Sequence, residues 1–280
     1  VADTGVAAAP PAVRRDRWRP YRAVIGSRIR SQRAYRASFR MDLFSTGVIG
    51  LVELAEVLVL YRTVDALGGL DVHQILLVFG LADLGFSLAS VVVGHVDELP
   101  KFIRSGTLDV FFLRPQPVLL QLITSELSLR RVSRALVGLA AFCVGLVTAD
   151  VPATPRTAAL LTMALVSATA ISAAQYVTAG GLQFFLIEGR EMTNSFVYGG
   201  RYAATQPAAV WSAPVRAVFG YVFPMAFCGY LPVLAVLGMP GPPGLPAWLA
   251  WCTPLAALWA WAAAMLCWRW GTRSYQGAGG

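Results

Sequence analysis

The stretch Asp97-Glu98-Leu99-Pro100-Lys101-Phe102-Ile103-Arg104-Ser105-Gly106-Thr107-Leu108-Asp109-Val110-Phe111-Phe112-Leu113-Arg114-Pro115-Gln116-Pro117 decides how the rest of the chain is read. It is the longest polar interruption between apolar segments, and it carries both signs of charge. Ser105 or Thr107 would cap a short helix, with Asp109 in its first turn against the positive end of the helix dipole. Val110, Phe111, Phe112 and Leu113 give an apolar patch; Arg114 falls at the end, and Pro115 stops the helix. A short helix with an apolar face and flanking charges suits docking into a groove on another protein. It equally suits packing on a membrane surface beneath a bundle.

Outward from this loop the chain reads as membrane. Of its 280 residues 56 % are hydrophobic and 14 % charged, where a soluble domain carries about 25 %. Mean hydropathy is +0.60 and the pI is near 9.7. The net charge of +8 comes from arginines that flank apolar segments, the positive-inside pattern of a membrane protein and not the footprint of a nucleic-acid binder. The first 40 residues hold no apolar core followed by a cleavage site, so the expectation is insertion directed by the first span.

Residues 1–20 read as a disordered basic leader. Residues 21–42 interleave Tyr21, Val24, Ile25 and Ile29 with Arg28, Arg30, Arg33, Arg36 and Arg40. That pattern predicts an amphipathic helix lying on an anionic membrane face, or else a merely solvated leader. Spans are expected at about 43–61, 73–94, 135–149, 156–187, 208–237 and 248–268, which makes a six-helix transmembrane domain over 43–270. A segment of this kind needs about 20 apolar residues to cross a bilayer. The region 208–237 is broken by Pro214, Pro224 and Pro232, so a helix followed by a re-entrant piece fits better than one straight helix. The leader, the loop 97–134, the polar stretch 188–206 and the tail 271–280 would share one side. The opposite loops carry only Arg62 and Arg156 as bases, both at helix ends, so both termini are expected in the cytoplasm. The fold class expected is an all-α integral membrane protein of the bacterial inner membrane, in contact with lipid on its outer faces.

The chain has one lysine, Lys101, and no Gly-rich phosphate loop ending in Gly-Lys-Ser/Thr, so it cannot be a P-loop ATPase on its own. His73 and His95 are the only histidines, and Cys143, Cys228, Cys252 and Cys267 lack metal-ligand spacing, so no metal site is expected. No catalytic residues are expected either. The physical oddities are Glu53 and Glu56, three apart on one face of the first span, and Asp83 in the second. Charges at such depth cost several kcal/mol unless they face a bundle interior or cavity. They either line a translocation path or hydrogen-bond across helices. In the fourth span Ser167, Ala168, Thr169, Ala170, Ser172, Ala173, Ala174 and Gln175 read as a small-residue packing surface, with a subunit interface or pathway as the alternative.

Gly106-Thr107-Leu108-Asp109, then Leu113-Arg114-Pro115 and Gln121, resembles the permease subunits of bacterial ATP-binding-cassette exporters of the second type. The likeness is to the six-span branch with a Gly-x-Leu-Asp…Leu-Arg-Pro loop. Tyr35-Arg36-Ala37, the region of Glu188 and the tail Arg273-Ser274-Tyr275-Gln276-Gly277-Ala278-Gly279 are similar to the same branch. The resemblance implies two permease chains, identical or paired with a relative, bound to two copies of a separate cytoplasmic ATPase. ATP and magnesium would be held by that partner and no cofactor by this chain. The coupling helix would lie in the loop, with Gly106, Leu108, Asp109, Phe111, Phe112, Leu113, Arg114 and Pro115 as coupling residues. The basic leader would be the connecting helix, 214–237 would hold re-entrant helices, and lipid-like, drug-like or polymeric cargo would leave at the permease interface. An ion- or proton-coupled secondary transporter using Glu53, Glu56 or Asp83 remains the alternative, although no internal repeat supports it. A membrane-embedded enzyme or scaffold is a third class.

Overall fold

The computed structural model describes residues 36–61, 66–125, 131–186 and 190–277. The leader and connecting-helix expectations for 1–35, including Arg28, Arg30 and Arg33, lie outside them. The described residues are helical, with no strand beyond an isolated bridge between Leu67 and Leu70. The helices are α1 (Arg36–Leu60), α2 (Val72–Val93), α3 (Leu99–Arg104), α4 (Thr107–Phe112), α5 (Val118–Ser125) and α6 (Val132–Thr148). They continue with α7 (Pro155–Gln183), α8 (Arg190–Thr205), α9 (Ala213–Ala217), α10 (Tyr230–Leu237) and α11 (Thr253–Ser274).

The bundle is built around α2. Its start is fixed by a reciprocal cap: the Gln74 N–H donates to Asp71 Oδ1 at 2.8 Å, and the Asp71 N–H donates to Gln74 Oε1 at 3.1 Å. From Ile75 onward it is buried on nearly all sides, with Leu77, Val78 and Leu81 fully enclosed. A helix apolar all round is a central helix. Glycines bring α6 against it. A Cβ on Gly80 would stand 2.2 Å from the Phe142 backbone nitrogen, and one on Gly145 would stand 2.5 Å from the Leu77 nitrogen. α7 begins at Thr154, whose Oγ1 accepts from the Thr157 N–H at 3.2 Å, followed by Pro155 in the first turn. It buries Ser167, Ala168, Ser172, Ala173, Ala174 and Gln175 and packs against α2, α8 and α11, the packing use read from the small-residue stripe.

Among the described residues four helical stretches are long and apolar enough to cross a membrane: Leu43–Leu60, Val72–Arg104, Pro155–Gln183 and Ala247–Ser274. Val132–Thr148 is apolar but shorter. α1 leaves Met41, Phe44, Leu51, Val52 and Val59 exposed, a surface that hydrocarbon would cover.

The region 208–237 differs from the expected broken span. It contains no helix longer than α10, which has eight residues. A 3₁₀ turn, the five-residue α9, a π turn over Val218–Val222 and a second 3₁₀ turn precede α10. Pro214 opens α9, Pro224 precedes the second 3₁₀ turn and Pro232 lies in the first turn of α10. Proline is tolerated in first turns, where its missing N–H has no partner to lose, and spaced this closely it allows no longer helix. The long element between α7 and this region is instead α8, from the stretch read as a polar cytoplasmic connection.

The core has two tiers. One gathers Leu77, Leu81, Leu161, Ile171, Tyr230 and Leu231. The other gathers Phe86, Val96, Leu99, Leu108, Leu122, Tyr176 and Trp268 toward the loop end. Asp83 lies on α2 where one tier gives way to the other, between Ala82 and Phe86.

Candidate functional site

The acids and the loop residues singled out from sequence fall into two constellations. The first is an ion network of four side chains from four helices. Glu53 comes from α1, Asp83 from α2, Arg134 from α6 and Arg201 from α8. Arg201 reaches Asp83 Oδ1 through Nε at 3.0 Å and Nη2 at 2.6 Å. Its Nη1 donates to Glu53 Oε1 at 2.9 Å, and its Nη2 pairs with Glu53 Oε2. Arg134 Nη2 pairs with both Glu53 oxygens, and its Nε stands 3.7 Å from Asp83 Oδ1. One guanidinium can bridge two carboxylates because its five donors lie in a fixed planar fork. Two acids and two bases leave the group neutral, which is what a set of buried charges requires.

Packing positions each member. Asp83 has 0 % of its surface exposed, and Gly138 makes room beside it, since a Cβ there would come within 2.9 Å of Asp83 Oδ2. Arg201 lies over the Phe86 ring at 5.3 Å, a cation–π contact that covers its inner face. Gly200 lets α8 approach α7: a Cβ there would meet Gln175 Nε2 at 1.8 Å. Gln175 Nε2 donates to the Phe196 carbonyl at 3.3 Å. Gln175, offered from sequence as a path residue, therefore works as a helix-to-helix contact in this structure. Glu56 stands apart from the network. It is exposed, and Tyr202 Oη donates to its Oε1 at 3.2 Å. The structure thus brings Glu53 and Asp83 together and leaves Glu56 on the outer face of α1.

The second constellation is the loop. α3 ends at Arg104, and the chain turns through Gly106 at φ 67° into α4. The expected side-chain cap is absent. Ser105 and Thr107 hydrogen-bond each other at 2.8 Å, and the residue preceding α4 is Gly106, whose carbonyl accepts from the Asp109 N–H at 3.2 Å. A glycine serves here because the positive φ strains any other residue. α4 stops at Phe112, ahead of Pro115.

Leu108 and Phe111 are buried in the loop-end tier of the core. Phe111 packs against Phe102 at 5.8 Å, and its carbonyl accepts from Gln121 Nε2 at 3.0 Å. Gln121 also donates to the Gln116 carbonyl at 2.8 Å, which pins the post-helix turn. Leu108 and Phe111, expected as contacts for a partner, are thus anchors of the loop. The exposed apolar side chains are Val110, Phe112 and Leu113, the last 86 % exposed. Arg114 lies beside them, its guanidinium 5.9 Å from the Phe111 ring centre, and Pro115 is exposed. Asp109, expected as an outward fixing charge, instead accepts a 2.8 Å hydrogen bond from Tyr275 Oη of the tail. Burial, then the bond to the Asp109 carboxylate and its charge, push the Tyr275 hydroxyl up to about 12. Among the surface arginines expected to face lipid, Arg40 is exposed near the start of α1 and Arg36 opens that helix.

Arg134, Arg201, Tyr202 and Tyr275 were not singled out from sequence as site residues. The available signal was charge: two acids in apolar spans demand two bases at the same depth.

Residues 48–279 match the profile of the ABC-2 family transporter proteins. No curated protein and no solved structure matches the chain. The match covers most of the sequence, so the chain belongs to this family, whose members are membrane permease components of ATP-binding-cassette transporters and work with separate ATPase subunits.

Proposed function

We propose that this ABC-2 family permease is the transmembrane subunit of an ATP-driven exporter, working as a pair of permease chains in the bacterial inner membrane. α1, α2, α6, α7, α8 and α11 are read as the six crossings, with the short helices of 208–237 as a re-entrant region and both termini cytoplasmic. The sixteen-residue α8 counts as a crossing because the ion network neutralises Arg201. ATP and magnesium would sit in two cytoplasmic ATPase subunits, and cargo would leave between the two permease chains. The coupling helix is α4.

The observation that carries this reading is the outward face of α4 and its end: Phe112 and Leu113 stand exposed beside Arg114, while Leu108 and Phe111 fix the helix to the core from behind. Leu113 stands exposed directly after α4, and its burial in a partner's groove would contribute about 1.5–3 kcal/mol. Pairing of Glu53 and Asp83 with two arginines supports an exporter driven from outside the chain over a carrier that binds ions with those acids.

Co-purification with the ATPase tests this. Leu113→Asp is expected to reduce ATPase capture at least about tenfold while the permease stays folded. Capture equal to wild type would remove α4 as the docking element.

A further inference from the structure

The tail carries the inference. Tyr275 follows directly on α11, which ends at Ser274. Its hydroxyl donates to Asp109, which is the only acid of α4. Its ring stacks on Phe112 with centres 5.5 Å apart and planes 13° apart. On its other side it meets Phe184 edge-on at 5.8 Å. Phe184 follows the end of α7 and packs edge-on against Trp268 of α11 at 5.5 Å. The ends of α7 and α11 are themselves in backbone contact, since a Cβ on Gly271 would lie 2.5 Å from the Gly181 carbonyl oxygen. Tyr275, Phe184, Trp268 and Gly271 therefore make one stiff corner, and α4 is attached to it at two points, Asp109 and Phe112.

α4 has a second attachment. Leu108 and Phe111 enter the loop-end core beside Val96 and Leu99, in the segment that continues α2. The two routes differ in kind. Leu108 and Phe111 enter a core that α2, α7 and α11 share; Tyr275 adds a direct hydrogen bond and a ring stack between α4 and the α7–α11 corner. Packed interfaces of this density move as units and do not deform gradually, so a direct attachment to the corner passes displacement to it.

We propose that Tyr275 is a positioning residue for energy coupling: it bolts the coupling helix to the α7–α11 corner, so that a push on α4 reaches the last membrane helix as well as α2. This rests on the reading of α4 as the ATPase-docking helix. A charge-accepting hydrogen bond and a stacked ring pair both act at the same contact, and each is a recognised source of coupling between elements. Tyr275 also stacks on Phe112, which stands exposed next to Leu113, so the docking surface borders the tail.

The experiment is hydrogen–deuterium exchange on the full permease–ATPase complex in lipid nanodiscs, apo and after trapping with ATP and vanadate. Three segments are read: 105–113 around the coupling helix, 71–76 at the far end of α2, and Ala247–Cys252 with the start of α11. In wild type, trapping is expected to alter all three. In Tyr275→Ala the responses at 105–113 and 71–76 persist, while that at 247–256 falls about tenfold, the effect of losing a hydrogen bond to a charged group. Tyr275→Phe, which keeps the rings packed, and Asp109→Asn give intermediate losses at 247–256 and serve where the alanine variant does not assemble. An unchanged response at 247–256 in these variants overturns the proposal. So does a uniform loss at all three segments, which marks a merely structural role. A wild-type complex that binds ATPase but responds at 105–113 and 71–76 only also overturns it. Failure of wild type to bind any ATPase, or to respond at 105–113, brings down the exporter reading itself, and the proposal with it.

Discussion

Replacing Arg201 by methionine probes the ion network at its most connected member. The substitution removes the two bonds to Asp83, at 3.0 and 2.6 Å, and the two contacts to Glu53. Asp83 is then left with Arg134 Nε at 3.7 Å as its nearest charge partner, beyond hydrogen-bond reach. Two carboxylates face one guanidinium in a site where Asp83 has no exposed surface. Breaking a buried pair by removing one partner costs about 3–5 kcal/mol. At 1.4 kcal/mol per factor of ten, that is a shift of roughly two to four orders of magnitude in the folding equilibrium. Much of the loss is Asp83 left without a partner and not the pair's own contribution. The double variant Asp83→Leu with Arg201→Met is therefore expected to recover most of it, because replacing a buried pair by apolar residues is often near neutral. Arg201→Lys is expected to fall between, since an ammonium lacks the planar fork that spans both acids. The assay is reversible unfolding of the purified permease in mixed micelles, with wild type, Asp83→Leu, Arg201→Met and the double variant analysed as a double-mutant cycle and Arg201→Lys measured beside them. A single methionine variant within about 0.5 kcal/mol of wild type, the ordinary range for an inconsequential surface change, would refute the view that the network holds α1 and α8 to the bundle.

Two further outcomes follow from the same geometry. Gly80→Ala places a methyl 2.2 Å from the Phe142 backbone nitrogen, so α2 and α6 must separate; a loss of about 1–3 kcal/mol is expected, read as a fall in Tm in detergent, and an unchanged Tm would contradict the close approach. The Tyr275 contact is expected to be flat with pH near neutrality. Its hydroxyl is raised from the ordinary value of 10 to about 12, so the proton stays on in the folded chain. The contact's contribution is fully present below pH 10 and is lost as pH rises through about 12. The exchange response of 247–256 to ATP and vanadate should therefore be constant from about pH 6 to 9, and a fall within that window would count against the Asp109 bond.

What could be read from the chain, and what could not, divides by range. The cap of α2 is local, with Asp71 and Gln74 three residues apart, yet it was not read from the sequence. The apolar runs that suggested spans are also local, and four of them form helices of crossing length. The position of Asp109 in the first turn of α4 was legible, but its partner Tyr275 lies 166 residues away. α8 was missed as a bundle helix because hydropathy scores Arg201 as a water-seeking charge. The two carboxylates that neutralise it are 118 and 148 residues distant. The division of the coupling residues had a signal that went unused. Leu108 and Phe111 are three apart and share a face, whereas Leu113 lies about 140° further round an ideal helix from Leu108 than the next full turn allows. That phase separates Leu113 from the anchoring face, but not Phe112, which lies about 40° from Leu108 on an ideal helix.

The ion network also sets a timetable for biogenesis. Glu53 and Asp83 leave the ribosome before either base that will neutralise them, and Arg201 is made 118 residues after Asp83. At 5–20 residues per second this is an interval of about 6–24 s. During it the nascent α1 and α2 hold acids in or near the bilayer with an incomplete set of counter-charges. A chain that stops short of α8 holds both acids, Glu53 and Asp83, and only Arg134 of the two bases that neutralise them.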